Sequence, residues 1–153
     1  MPGDMKKLIF IDDNPLDHFI LKKILNQSHL ACEVNCTADG TEVIDFLEKH
    51  HSDPGRLPDI ILLDLYMPGF DGWTFLGKAE QLCTRMAKPV KICILSASIN
   101  PKDIHDAKQY SCVSTFIFKP ITKNILEKLS SDEVSNVAWI RRFFYWSYVL
   151  NHL

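Results

Sequence analysis

Short apolar runs alternate with amphipathic stretches along the chain, which predicts strands and helices in turn. LIFI (8–11) reads as a short buried strand that ends on Asp12 and Asp13. Asn14 and Pro15 suit a helix cap and first helical position: the asparagine side chain can accept an unpaired N–H, and proline has none to lose. Phe19, Ile20, Ile24 and Leu25 follow at helical spacing. CEVNCT (32–37) alternates as a strand does, and Asp39-Gly40 turns the chain into TEVIDFLEKHH, a second helix. SDPGRLP is a loop, and DIILLD (59–64), the most apolar run, predicts a central strand covered on both faces. A third helix is expected from Asp71 to about Met86, with Trp73, Phe75, Leu76, Ala79 and Leu82 at its apolar positions. VKICILSA (90–97) is a fourth strand, and Asn100-Pro101 opens a fourth helix by the same cap-and-proline device. VSTFIF (113–118) is a fifth strand, Lys119-Pro120 a corner, and Thr122 starts a fifth helix.

Strand followed by helix thus repeats five times. Parallel strands need crossover connections, so this order predicts an α/β domain, a doubly wound parallel sheet with helices on both faces. Ligands of such sheets sit beyond the carboxyl ends of the strands. Those ends carry Asp12 and Asp13, then Asp64, then Ser96-Ala97, then Lys119-Pro120. Three crowded carboxylates repel one another unless a cation sits among them. Carboxylate oxygens select a hard ion, and an open site of few acids suits Mg²⁺ retaining several waters. Lys119 adds a fixed positive charge. Such a set can stabilise added negative charge on an acceptor oxygen, which is phosphoryl-transfer chemistry.

Length and composition narrow the class without changing it. The 153 residues suffice for one domain with a proper core, and 46% apolar with 24% charged residues is a globular balance. A net charge of −2 gives no field for nucleic acid. LIFI is too short for a signal-peptide core, and no apolar run approaches the roughly 20 residues of a membrane span. Of the five cysteines, Cys32, Cys36, Cys93 and Cys112 lie in or beside apolar segments and Cys83 in a helical pattern. They read as small buried hydrophobes of a reducing compartment. Zinc at Cys32 and Cys36 lacks a second pair of ligand spacing.

LIFIDDN, DLYMPGFDGW, LSAS and FIFKP, taken in this order, resemble the receiver domain of two-component response regulators over roughly residues 6–130. The resemblance implies a flavodoxin-like (βα)5 domain of strand order 2-1-3-4-5 spanning 1–131, followed by an aromatic-rich extension, 132–153. It makes Asp64 the acceptor of a phosphoryl group from a histidine kinase or phosphotransfer protein. Asp13 would ligate Mg²⁺ directly, Asp12 mainly through water, and the backbone carbonyl of Tyr66 would be a further ligand. Lys119 would contact the phosphoryl oxygens and Ser96 would donate its hydroxyl to them. Phe116 occupies the place of the switch aromatic, which swings inward once Ser96 has moved. The bond before Pro120 would be cis. Ser96 stands where threonine is more frequent and Phe116 where tyrosine is, so the hydroxyl is kept at the first place and lost at the second. The implied protein is a stand-alone cytoplasmic regulator that acts on a downstream protein target, has no DNA-binding output, and is barely an enzyme: self-phosphorylation and slow hydrolysis are its only chemistry.

A lone aspartate at a strand end is more often a turn former than a nucleophile, and Asp71 reads as a helix start. Asp64 differs only through the company of Asp12, Asp13, Ser96 and Lys119. His50 and His51 read as solvated. The stretch VAWIRRFFYWSYVL (137–150) places Phe143, Leu150 and neighbouring aromatics on one helical face. Three uses of that face stay open: packing on its own domain, a dimer or partner contact, and attachment to a membrane surface. A homodimer would run through it or through the face of the fourth helix, fifth strand and fifth helix. Two rival functions remain. One is a receiver-like interaction module that is never phosphorylated. The other is a phosphatase or phosphotransferase acting on small molecules, which commonly needs an acid where Tyr66 stands.

Overall fold

A computed structural model describes residues 5–131. The expected extension 132–153, with its aromatic face, lies outside the described residues. Strand β1 (Lys6–Ile11) starts ahead of LIFI because Lys6 and Lys7 extend the ladder with β2 at the amino end of the sheet, where long side chains keep their charge in water. Helix α1 (Pro15–Gln27) is capped as anticipated: Asn14 Oδ1 accepts the Leu16 N–H at 3.0 Å. Strand β2 (Cys32–Thr37) leads to α2 (Gly40–His50), capped by Asp39. Strand β3 (Ile60–Leu63) leads to α3 (Gly72–Leu82), capped by Asp71. That helix stops short of Met86, because Cys83–Arg85 tighten into a 3-10 turn, a common way to finish a helix. Strand β4 (Lys91–Ser96), α4 (Pro101–Ala107), β5 (Val113–Phe118) and α5 (Lys123–Ser130) complete the order, with Asn100 and Thr122 as caps.

All strands are parallel, in the order β2-β1-β3-β4-β5. On one face Val43 and Leu47 of α2, Phe75 and Leu76 of α3 and Ile104 of α4 bury Ile61, Leu63, Ile94 and Phe116. On the other, Leu21 and Leu25 of α1 and Leu126 and Leu129 of α5 cover Leu8, Phe10, Leu62 and Cys93. No side chain of β3 exceeds 2% exposure, as a central strand requires. Each contributes about 2 kcal/mol through burial. Cys93 and Cys112 are buried as expected, while Cys32, Cys36 and Cys83 are only half-buried. Burial pushes the Cys93 thiol up to about 12, so it stays protonated and inert.

Register fixes the functional edge. Leu63 pairs with Ile11, so Asp64 follows directly, and its N–H donates to the Ile11 carbonyl at 2.9 Å. Asp12 N–H donates to the Thr37 carbonyl, and Lys119 N–H to that of Ser96. The sheet's own hydrogen bonds therefore continue one residue past β1, β3 and β5 and hold the polar residues in line. The Lys119–Pro120 bond is cis. Among the described residues no helix is long and apolar enough to cross a membrane.

Candidate functional site

Asp12, Asp13 and Asp64 meet at the carboxyl edge: one carboxylate oxygen from each lies within 4.8 Å of the others. Asp12 is fully buried, Asp64 is 7% exposed, and Asp13 faces solvent. Two oxygens inside and one at the mouth form a hard-donor cluster open to water on one side. That suits a small divalent cation holding several waters. Burial raises the Asp64 carboxyl above the ordinary carboxylate range. Lys119 and the Tyr66 N–H oppose that shift, and the charges of Asp12 and Asp13 add to it.

Lys119 supplies the positive charge at the site. Its Nζ lies 2.7 Å from Asp12 Oδ2, 2.9 Å from Asp17 Oδ2 and 3.6 Å from Asp64 Oδ2. Burial alone would lower its pKa, but the hydrogen bonds to Asp12 and Asp17 and the Asp64 charge more than reverse this. The ammonium is held well above the usual lysine range. Asp17, in the first turn of α1, was not singled out from the sequence. No local sequence signal marks it, because its partner Lys119 lies 102 positions away. His18 was missed too: its Nε2–H donates to the Asp12 carbonyl at 2.6 Å while its ring packs edge-on against Phe10. Asn14 N–H donates to Asp12 Oδ1, so the Asp12 carboxylate is fixed from two sides.

Ser96 is fully buried, and its Oγ accepts the Ser98 N–H at 3.1 Å. Tyr66 N–H donates to Asp64 Oδ1 at 3.2 Å, which brings the Tyr66 backbone beside the acids. The Tyr66 side chain leaves the cluster and its hydroxyl donates to Asp103 of α4. Phe116 departs from the expected outward start. It is already inside, 3% exposed, in the cluster with Ile104 and Ala107 of α4. Phenylalanine has no hydroxyl to keep in water, so burying its ring has no polar cost to offset it.

The loop after Asp64 is shaped by two glycines. Gly69 has φ +84°, which side-chain-bearing residues rarely adopt. Gly72 allows close approach: a Cβ there would lie 2.6 Å from the Asp64 carbonyl oxygen and 2.7 Å from Leu65 Cα. Gly72→Ala is expected to lower stability by about 1–3 kcal/mol, because backbone cannot yield as a flexible side chain does. Urea unfolding at fixed pH checks this, and an unchanged midpoint would contradict the contact.

Residues 8–130 match the response regulator receiver domain family. The chain belongs to the receiver family. A peroxide stress-activated histidine kinase, mak3, of Schizosaccharomyces pombe is 27% identical over 124 residues, which are 80% of this chain and 5% of that protein. The receiver chain thus spans a small part of that relative. A two component response regulator from Cytophaga hutchinsonii superposes with a TM-score of 0.71 at 29% identity, covering 82% of this chain and 93% of that one. The phosphorylated cyanobacterial phytochrome response regulator RcpA gives 0.64 at 29% identity, covering 81% and 88%. Receivers bind Mg²⁺ in the active-site cleft and interact with histidine kinases or phosphotransfer proteins. The acidic cluster of this receiver lies at the carboxyl edge of its sheet.

Proposed function

We propose that this receiver accepts a phosphoryl group on Asp64 from the phosphohistidine of a kinase or phosphotransfer protein and signals through changed protein contacts. One observation supports it above the others: three carboxylates and a lysine converge on one open edge of the sheet, with the acceptor candidate between them. An Asp64 oxygen attacks phosphorus, forming a P–O bond as the P–N bond breaks. The electron pair leaves on the imidazole nitrogen, which picks up a proton. Asp12, Asp13 and Asp64 with the Tyr66 carbonyl would hold Mg²⁺, which supplies positive charge to the phosphoryl oxygens when bound. Lys119 needs only a short side-chain movement from its 3.6 Å separation to reach an oxygen carried by Asp64. Ser96, buried beside the edge, would turn its hydroxyl to the same group. Phosphorylation replaces the single negative charge of the Asp64 carboxylate by about two and adds strong acceptor oxygens, which draw the Lys119 ammonium and the Ser96 hydroxyl towards them.

Beryllofluoride, which imitates an aspartyl phosphate, tests this without a kinase. With Mg²⁺ present it is expected to shift the backbone amide resonances of residues 64–67, 96–98 and 119. Unshifted resonances in the presence of both would leave the interaction module that is never phosphorylated as the better reading.

A further inference from the structure

A second polar cluster lies beside the acidic one and is built around Asp103, in the first turn of α4. This carboxylate is 6% exposed, and its partners are hydroxyls. The Tyr66 hydroxyl is 2.7 Å from each of its oxygens, and Ser98 Oγ donates to Oδ2 at 2.6 Å. Among the described residues the hydrogen bonds to this carboxylate come from hydroxyls, with Lys102 acting only at longer range. A buried carboxylate so held is costly to keep, which favours a role beyond filling space.

Both hydroxyl partners lead back to the acceptor edge within two residues. Tyr66 N–H donates to Asp64 Oδ1, and Ser98 N–H donates to Ser96 Oγ. Two chains of hydrogen bonds, Asp64–Tyr66–Asp103 and Ser96–Ser98–Asp103, therefore end on one side chain of α4. Ser98 Oγ also accepts from Asn100 N–H, and Asn100 caps α4 through Lys102 N–H. Tyr66 is otherwise 54% exposed, so its hydroxyl, not its ring, is what fastens it. Phe116 already lies inside against α4, which leaves its rotation little to transmit.

We propose that Asp103 is a positioning residue, a latch that ties the loops on both sides of Asp64 to α4 and is released when Asp64 is phosphorylated. This rests on the acceptor role proposed for Asp64. When Ser96 turns its hydroxyl to the phosphoryl group, its Oγ leaves the Ser98 N–H. The 96–98 loop then moves, Ser98 loses its alignment on Asp103, and the first turn of α4 loosens. A bistable element is biased by a local charge, and α4 carries the result to a partner protein.

Hydrogen exchange on the full chain tests the latch, using Tyr66→Phe and Asp103→Asn, which keep ring and volume. In the unmodified protein both variants are expected to raise amide exchange several-fold over 98–107 and to leave the strands unchanged. Beryllofluoride with Mg²⁺ should raise exchange over the same residues in wild type and in Tyr66→Phe, which keeps the Ser98–Asp103 hydrogen bond, and add little in Asp103→Asn, which weakens both links. Because the Tyr66–Asp103 link is affected by both substitutions, the double variant should match Asp103→Asn alone rather than sum the two. Unchanged exchange in both variants, or additive effects, would overturn the latch. If wild type binds beryllofluoride while 98–107 stays as protected as before, only the latch fails. If it binds none, the acceptor reading fails and takes the transmission with it.

Discussion

Replacing Lys119 with methionine should destabilise the chain by about 3 kcal/mol in buffer free of divalent ions, and Mg²⁺ should restore a good part of that loss. The reason lies with Asp12, whose side chain is fully buried and 2.7 Å from Lys119 Nζ. Breaking a buried pair from one side strands a charge and costs about 3–5 kcal/mol. The Lys119 side chain keeps 19% of its exposure, so the lower end applies. Methionine keeps the stem and its packing and removes only the ammonium, which also serves Asp17 and Asp64. A cation added to the acidic cluster replaces the missing charge, and binding to the folded state alone stabilises it by mass action. Urea unfolding of wild type and variant, with and without Mg²⁺, checks both halves. A loss of the same size in both buffers would mean that Lys119 acts through packing and not through charge.

Asp64→Asn should abolish phosphoryl uptake while making the protein more stable. The chemical half follows from the lost oxygen nucleophile: an amide has no anionic oxygen to attack phosphorus. The stability half follows from burial and the neighbouring acids, which raise the Asp64 carboxyl above its usual range. A carboxyl raised on folding favours the folded state below its unfolded pKa, and that contribution is lost as pH rises through the folded value. At neutral pH wild type therefore bears the cost of ionising Asp64 beside Asp12 and Asp13, and the variant does not. The variant's advantage should shrink as pH falls towards the ordinary aspartate range, and Mg²⁺ should narrow it at neutral pH. Thermal unfolding between pH 4 and 8 with intact-mass analysis after acetyl phosphate reads both effects. A variant that still gains a phosphoryl group, or one less stable at neutral pH, would contradict the assignment.

Much of the architecture could be read from local pattern because its signals are local. CEVNCT and VSTFIF coincide with β2 and β5, and Asn14, Asp39, Asp71, Asn100 and Thr122 all cap helices through their own side chains. Strand ends then located Asp12, Asp13, Asp64, Ser96 and Lys119 at one edge, since a parallel sheet sends all its carboxyl ends the same way. What stayed hidden depends on contacts between distant segments. Asp17 reaches Lys119 across 102 positions, and Tyr66 reaches Asp103 across 37, so neither shows in any window of sequence. Nothing in the sequence marks His18, whose Nε2 meets the Asp12 carbonyl only through the turn between β1 and α1. Phe116 falls in β5 as the strand pattern predicts, but whether its ring starts outside or inside is decided by packing with Ile104 and Ala107. The third helix was drawn too long because periodicity runs through Cys83–Arg85 although the turn there tightens.

The central claim is that Asp64 carries the phosphoryl group and that the acidic cluster makes this dependent on a divalent ion. Peptide mass mapping after brief exposure of wild type to acetyl phosphate tests it directly. The claim predicts one added phosphoryl group, located on Asp64, formed with Mg²⁺ and absent when the ion is chelated. A phosphoryl group on any other residue, or none with Mg²⁺ present, would contradict it.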